Sequence, residues 1–187
     1  MKKMAWHYTT VEKFELILES GVLKTTLSAI DIRTDERPVL WFSTNQYWEP
    51  TVQYWDAKSG KTSGIQGTKE SGRGLIRLGY PQEELIPWVD LWRLANIDHT
   101  TKRNLEKWGK RDGANPYCWM GSFKNIPLEN LILEQMDESN KWKRANHNDF
   151  NVLNHEDAER FAWEAGFGRN VYLGLECCID DIMDEAA

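Results

Sequence analysis

The sequence predicts an α+β fold: a single compact domain in which a mixed or antiparallel sheet of about five to six strands is flanked by helices. Three observations carry this. Short segments of strand character recur along the chain, capped helical segments stand between them, and no repeat or internal linker interrupts residues 1–187. With 41% hydrophobic and 28% charged residues, 187 residues supply one substantial core but not two.

The elements follow in order. Residues 4–8, "MAWHY", read as an aromatic-rich strand, and Thr9 with Glu12 forms a T-x-x-E capping box that opens a helix. Val11, Phe14, Ile17 and Leu18 share one helical face, and Gly21 stands where a left-handed stop is cheap. Residues 24–37 are polar and aperiodic, after which "PVLWFST", 38–44, reads as a buried strand opened by proline and leading into a turn at "NQYWEP". Residues 56–74 hold five glycines and almost no large apolar side chain, which predicts a flexible surface loop. "LIRLGY", 75–80, is a strand, and Leu85 to Trp88 a short apolar connection.

A helix is predicted over 99–110, capped by Thr100 or Thr101, with Leu105 and Trp108 three apart. "CWMGSFKNIP", 118–127, and "LILEQMD", 131–137, read as two strands joined by a turn containing Pro127 and Asn130. Residues 138–154 predict a polar loop. A helix over 155–166, from Asn154 as cap to Gly166 as stop, a strand over 170–178 and a fraying acidic tail over 179–187 complete the chain.

Composition narrows the function. The net charge is −6, from 29 acids against 23 bases, so a grip on nucleic-acid phosphates would require a local basic patch. The densest run, "KWKR" at 141–144, has the character of a solvated turn, and nucleic acid is therefore a disfavoured partner. Cys118, Cys177 and Cys178 form neither a disulfide framework nor a metal knuckle, and a reducing cytoplasm is the simplest setting. No run of about 18 apolar residues exists to span a membrane. Ten tryptophans are available to fill a core or to stack on a planar ligand.

Two common chemistries lack their spacing. His147 and His155 are eight apart, not the three or four that put two ligands on one helical face, so no metal site is expected. The "GKT" at 60–62 lacks the glycine of a phosphate loop five positions earlier, where Trp55 stands. Cys118 and His7 sit in no nucleophile signature.

The segments "WHYT", "ILESGVL", "VLWFSTNQYWEPT", "SFKNIPLENLILEQMD" and "KW" together resemble a bacterial protein family with HYT and WFSTNxxWEPT motifs, recognised by sequence pattern and not by an established activity. More distantly, a strand with His7, a helix, an irregular link and the "WFST" strand resemble the ADP-ribosyltransferase fold of DNA-modifying toxins and RNA 2'-phosphotransferases. That resemblance covers the first fifty residues and implies NAD as substrate, with ADP-ribose passed to a macromolecular acceptor or the glycosidic bond hydrolysed. It implies that His7 bonds a ribose hydroxyl. Ser43 or Thr44, with the aromatic Tyr8, Trp41 or Trp48, would hold and stack the nicotinamide, and Asn45 would join them in binding the cofactor.

Cleaving the nicotinamide bond develops positive charge on the sugar, so a nearby carboxylate would stabilise the transition state. Glu134 is the first choice and Glu49, presented at a strand end, the second. Arg73 or Arg77 would clamp the diphosphate. Against these stand plainer roles: His7 donating a ring N–H to a carbonyl under the first helix, Ser43 to Asn45 ending a strand in a turn, and Glu134 facing solvent. The function of another class is a non-catalytic, tryptophan-rich module that binds a protein or a nucleotide.

Overall fold

The computed structural model describes residues 2–26, 35–56 and 61–150. The helix, strand and tail expected beyond residue 150 lie outside these, as do Cys177, Cys178 and His155. The first strand, β1 (Met4–Thr10), runs into helix α1 (Val11–Ser20). Thr9 is still in the strand, and Thr10 is the cap, its hydroxyl accepting from Lys13 N–H at 3.4 Å. The expected capping box does not form: pairing with the neighbouring strand continues through Thr10, which moves the cap on by one residue and leaves Lys13, not Glu12, at the third helical position. Gly21 ends α1 at φ 65°, as its position suggests, and its N–H reaches Leu18 O.

Strands β2 (Val22–Leu23) and β3 (Leu40–Ser43) follow. The stretch expected to be a loop over 56–74 holds β4 (Trp55–Asp56), β5 (Lys61–Thr62) and helix α2 (Gly64–Ser71). Two of its glycines serve close packing. A Cβ on Gly72 would lie 2.3 Å from Thr10 Cγ2, and one on Gly67 2.6 Å from Ser63 Cβ. The buried contact of α2 is polar: Thr68, 2% exposed, donates to Gly64 O at 2.7 Å and accepts from Tyr54 N–H at 3.2 Å. An apolar-periodicity criterion is blind to such a helix.

Then come β6 (Leu75–Pro81), β7 (Ile86–Pro87), α3 (Trp88–Leu94) and α4 (His99–Arg111). The cap of α4 is Asp98 instead of Thr100 or Thr101; its carboxylate accepts from both threonine N–H groups and from the Thr101 hydroxyl. The chain continues through β8 (Trp119–Ser122), β9 (Ile126–Pro127), β10 (Ile132–Met136) and β11 (Trp142–Arg144). "KWKR", read above as a turn, supplies this last strand, since its backbone completes the edge of the sheet beside β10.

The main sheet has seven strands in the order β11-β10-β6-β1-β3-β8-β7, and every pairing in it is antiparallel. The mixed α+β architecture is as expected, with one or two more strands. One face carries Ala5, Phe42, Ile76, Leu78 and Leu133 against Val11 and Phe14 of α1. On the other, Val39, Trp88, Leu91 and Trp119 form a second cluster near α3.

Gly79 sits in the middle of β6 opposite Trp6, and a Cβ there would lie 2.6 Å from Trp6 Cζ3. Gly79→Ala is expected to destabilise the fold by about 1–3 kcal/mol through overpacking. Urea unfolding measures it, and a change under 0.5 kcal/mol contradicts the tight approach.

Candidate functional site

Side chains alternate across a strand, so the register assigns each candidate to a face. In one row Tyr8 pairs with Arg77, Arg77 with Glu134 and Glu134 with Arg144, crossing β1, β6, β10 and β11. In the adjacent row His7 pairs with Leu78, and Leu78 with Leu133. Trp6 pairs with Ser43, which places Ser43 on the Tyr8 side. His7 is thus separated by the sheet from Ser43 and Glu134, the residues it was expected to join.

His7 is half-buried beside Phe42, ring centroids 6.0 Å apart, and its Nδ1 lies 2.9 Å from Trp41 O. A carbonyl only accepts, so Nδ1 carries the proton. Burial lowers its pKa to about 4, with Lys13 adding to the shift and the Trp41 bond opposing it. The imidazole is neutral near pH 7.

On the opposite face, Arg77 lies between two indoles, 3.8 Å from the Trp6 ring and 4.7 Å from the Trp142 ring. Its Nε and Nη2 donate to Glu134 at 2.8 and 2.5 Å, and its Nη1 donates to Gln46 O. Glu134 is therefore engaged by a nearly buried guanidinium, with Arg144 3.7 Å from its other oxygen. Tyr8 is edge-on to Trp48 at 5.4 Å and tilted against Trp142 at 5.8 Å. Burial pushes its phenol up to about 12, partly offset by Arg77, so it stays protonated and donates to Asn45 O at 2.5 Å.

The "STNQYWEPT" segment crosses over this face. Three successive carbonyls, of Asn45, Gln46 and Tyr47, accept from Tyr8, Arg77 and Trp142 respectively. Trp6 Nε1 donates to the Gln46 side chain at 2.9 Å. Below the segment, the 4%-exposed Glu49 accepts from Ser43 Oγ (2.6 Å) and Asn45 Nδ2 (2.8 Å) on one oxygen, and from Thr51 Oγ1 and Trp119 Nε1 (both 3.1 Å) on the other. Ser43 and Asn45 are thereby committed to Glu49. Thr44 fixes the turn through its N–H to Cys118 O.

The remaining candidates are dispersed. Arg73 pairs with Glu15 of α1, away from Arg77. Trp41 packs on Trp88 at 5.7 Å, and its buried Nε1 has no hydrogen-bond partner among the described residues. A groove of about 310 Å³ lined by Tyr80, Ile86, Phe123 and Ile126 includes none of the expected site residues.

Tyr8, Trp48, Ser43, Asn45, Glu49, Arg77 and Glu134 are brought to one side of the sheet. Trp6, Gln46, Trp119 and Trp142 belong with them and were missed. Their signal is an indole or amide facing a polar segment, which is visible only once the strands are paired. Among the described residues no group of three or more His, Cys, Asp or Glu side chains is placed to hold a metal ion, and no helix is long and apolar enough to cross a membrane. No family model, curated protein or solved structure matches the chain.

Because His7 has a lower pKa folded than unfolded, the unfolded chain takes up its proton first as pH falls. Its contribution to stability is full above about 6.5 and is lost progressively toward about 4. His7→Asn, whose amide can keep the bond to Trp41 O, is expected to flatten the stability profile in that window; denaturant midpoints between pH 7 and 4 measure it. Glu49→Ala strands four donors and is expected to cost about 3 kcal/mol or more. An unchanged melting midpoint would contradict the anchoring role.

Proposed function

We propose that the chain is a non-catalytic, tryptophan-rich module that binds a nucleotide-type ligand at the rim of the Tyr8 face. The observation that carries this is the convergence of Trp48 and Trp142 on the Tyr8 ring, with Tyr47 55% exposed beside them. Aromatic side chains held this way offer an edge or a face to a base. The Arg144 side chain, 63% exposed, lies next to them on β11. Glu134 is already matched by Arg77, so Arg144 keeps donors for phosphate oxygens.

A catalytic reading is favoured by one observation: the "HYT" and "WFST" strands are neighbours, as the resemblance to ADP-ribosyltransferases requires. In that reading NAD is the substrate, and its ADP-ribose goes to a macromolecule or to water. The engagement of Glu134 by Arg77, and of Glu49 by four neutral donors, leaves neither carboxylate free to stabilise an oxocarbenium ion. The binding reading is therefore preferred.

Titrating the protein with AMP, ADP and NAD while following tryptophan fluorescence tests both. Saturable quenching is expected, weakened about tenfold by Arg144→Ala and by Trp48→Ala, without release of nicotinamide from NAD. No saturable response to any of the three rejects the proposal. Nicotinamide release that disappears in folded His7→Ala and Glu134→Gln variants establishes the transferase or glycohydrolase reading instead.

A further inference from the structure

Helix α4 concentrates cations in an otherwise acidic chain. Its sequence, HTTKRNLEKWGKR, carries Lys102, Arg103, Lys107, Lys110 and Arg111 against a single carboxylate, Glu106. That carboxylate is engaged on the inner side, accepting from Trp88 Nε1 at 2.8 Å and from Lys102 at 2.7 Å. At about 100° per residue, His99, Arg103, Lys107 and Lys110 fall within an arc of roughly 80°. All four are exposed, while Thr101 and Gly109 on the opposite side are buried. Gly109 lets the helix lie directly on Trp119, where a Cβ would come within 2.5 Å of the ring. The stripe therefore sits on a helix pinned to the sheet.

Among the described residues Arg103, Lys107 and Lys110 make no ion pair, whereas Arg111 reaches Asp112 at 3.2 Å. An aromatic stands at each end. Trp92, half-buried, meets His99 at 4.8 Å beside the helix start, with Lys102 5.5 Å from its ring. Tyr117 is 81% exposed in a single-turn segment, Pro116–Cys118, that packs against α4 and is held by Asn115 Oδ1 accepting from Tyr117 N–H at 3.1 Å.

We infer that the outer face of α4 with Tyr117 is a docking track for single-stranded nucleic acid. Unpaired cations one helical turn apart follow a phosphate backbone, and a fixed, exposed tyrosine accepts an unstacked base. An acidic peptide would use the cations and leave Tyr117 without a role. A membrane surface would require a continuous apolar border, but the exposed Val89 and Leu94 of α3 point roughly 140° apart around their helix. This track is separate from the Tyr8 face and does not depend on the nucleotide proposal.

The test is fluorescence anisotropy of the full chain with fluorescein-labelled 12-nucleotide oligothymidylate and oligouridylate, and with a duplex of the same length. Binding of the single strands is expected to weaken about 20-fold between 50 and 200 mM salt, as three released counterions predict. Arg103→Gln/Lys107→Gln/Lys110→Gln, with circular dichroism unchanged, is expected to lose at least tenfold. Tyr117→Ala is expected to lose about fivefold on single strands and nothing on the duplex. Absence of binding at 50 mM salt, salt-independent binding, or wild-type affinity in the triple variant overturns the inference. So does equal affinity for duplex, for polyglutamate or for phosphatidylserine vesicles.

Discussion

Glu49 places a carboxyl group in the interior, and much of the site's geometry follows from satisfying its two oxygens. A polar group buried this deeply is tolerated only when hydrogen-bond partners surround it. Here they come from the end of β3 (Ser43), the crossing segment (Asn45, Thr51) and β8 (Trp119). Binding all four fixes the path of residues 44–51 to the sheet. That path brings three consecutive carbonyls within reach of Tyr8, Arg77 and Trp142. The segment's own orphan acceptors are thereby met by side chains of three different strands, which is how an irregular stretch can cover a sheet face without burying unpaired backbone groups.

The same requirement explains why Arg77 is central. A guanidinium in the middle of β6 has to be neutralised and shielded, and Glu134 and the two indoles do both. The ionic row Tyr8–Arg77–Glu134–Arg144 then alternates with the row His7–Leu78–Leu133, which is committed to the apolar core under α1. His7 is neutral for the same reason that Leu78 and Leu133 are its neighbours. One strand thus supplies a packing histidine and a tyrosine on the polar face from adjacent positions.

Several of these features were legible in the sequence. The α1 segment announced itself through its apolar spacing and Gly21, and the strand character of "WFST" and "LILEQMD" was plain. The expected meeting of His7, Ser43 and Glu134 failed because a strand's period of two separates neighbours, and register is not written in a single sequence. Thr68, Gly67 and Gly72, which pack α2 closely, carry no hydrophobic signal. In "KWKR" and α4 the opposite problem arose: the residues were visible, but their meaning depended on a partner strand in one case and on helical phase in the other.

The abundance of tryptophan is best understood through its single N–H. Trp6, Trp88, Trp119 and Trp142 each donate it across the fold, to Gln46, Glu106, Glu49 and Tyr47 O. Each of these indoles fills volume with its rings and fastens a polar group with its nitrogen, so a limited core gains both apolar area and directionality. Trp41 differs, with a buried N–H that meets no acceptor among the described residues. Residues fastened in this way are unavailable to a ligand except along an exposed edge. Trp48 is half-buried, and its ring meets Tyr8 on the side of the sheet where the polar row reaches solvent at Arg144. Counting tryptophans therefore overstates how much of the molecule can recognise a planar ligand, and the pattern of indole hydrogen bonds separates the bracing rings from the accessible ones.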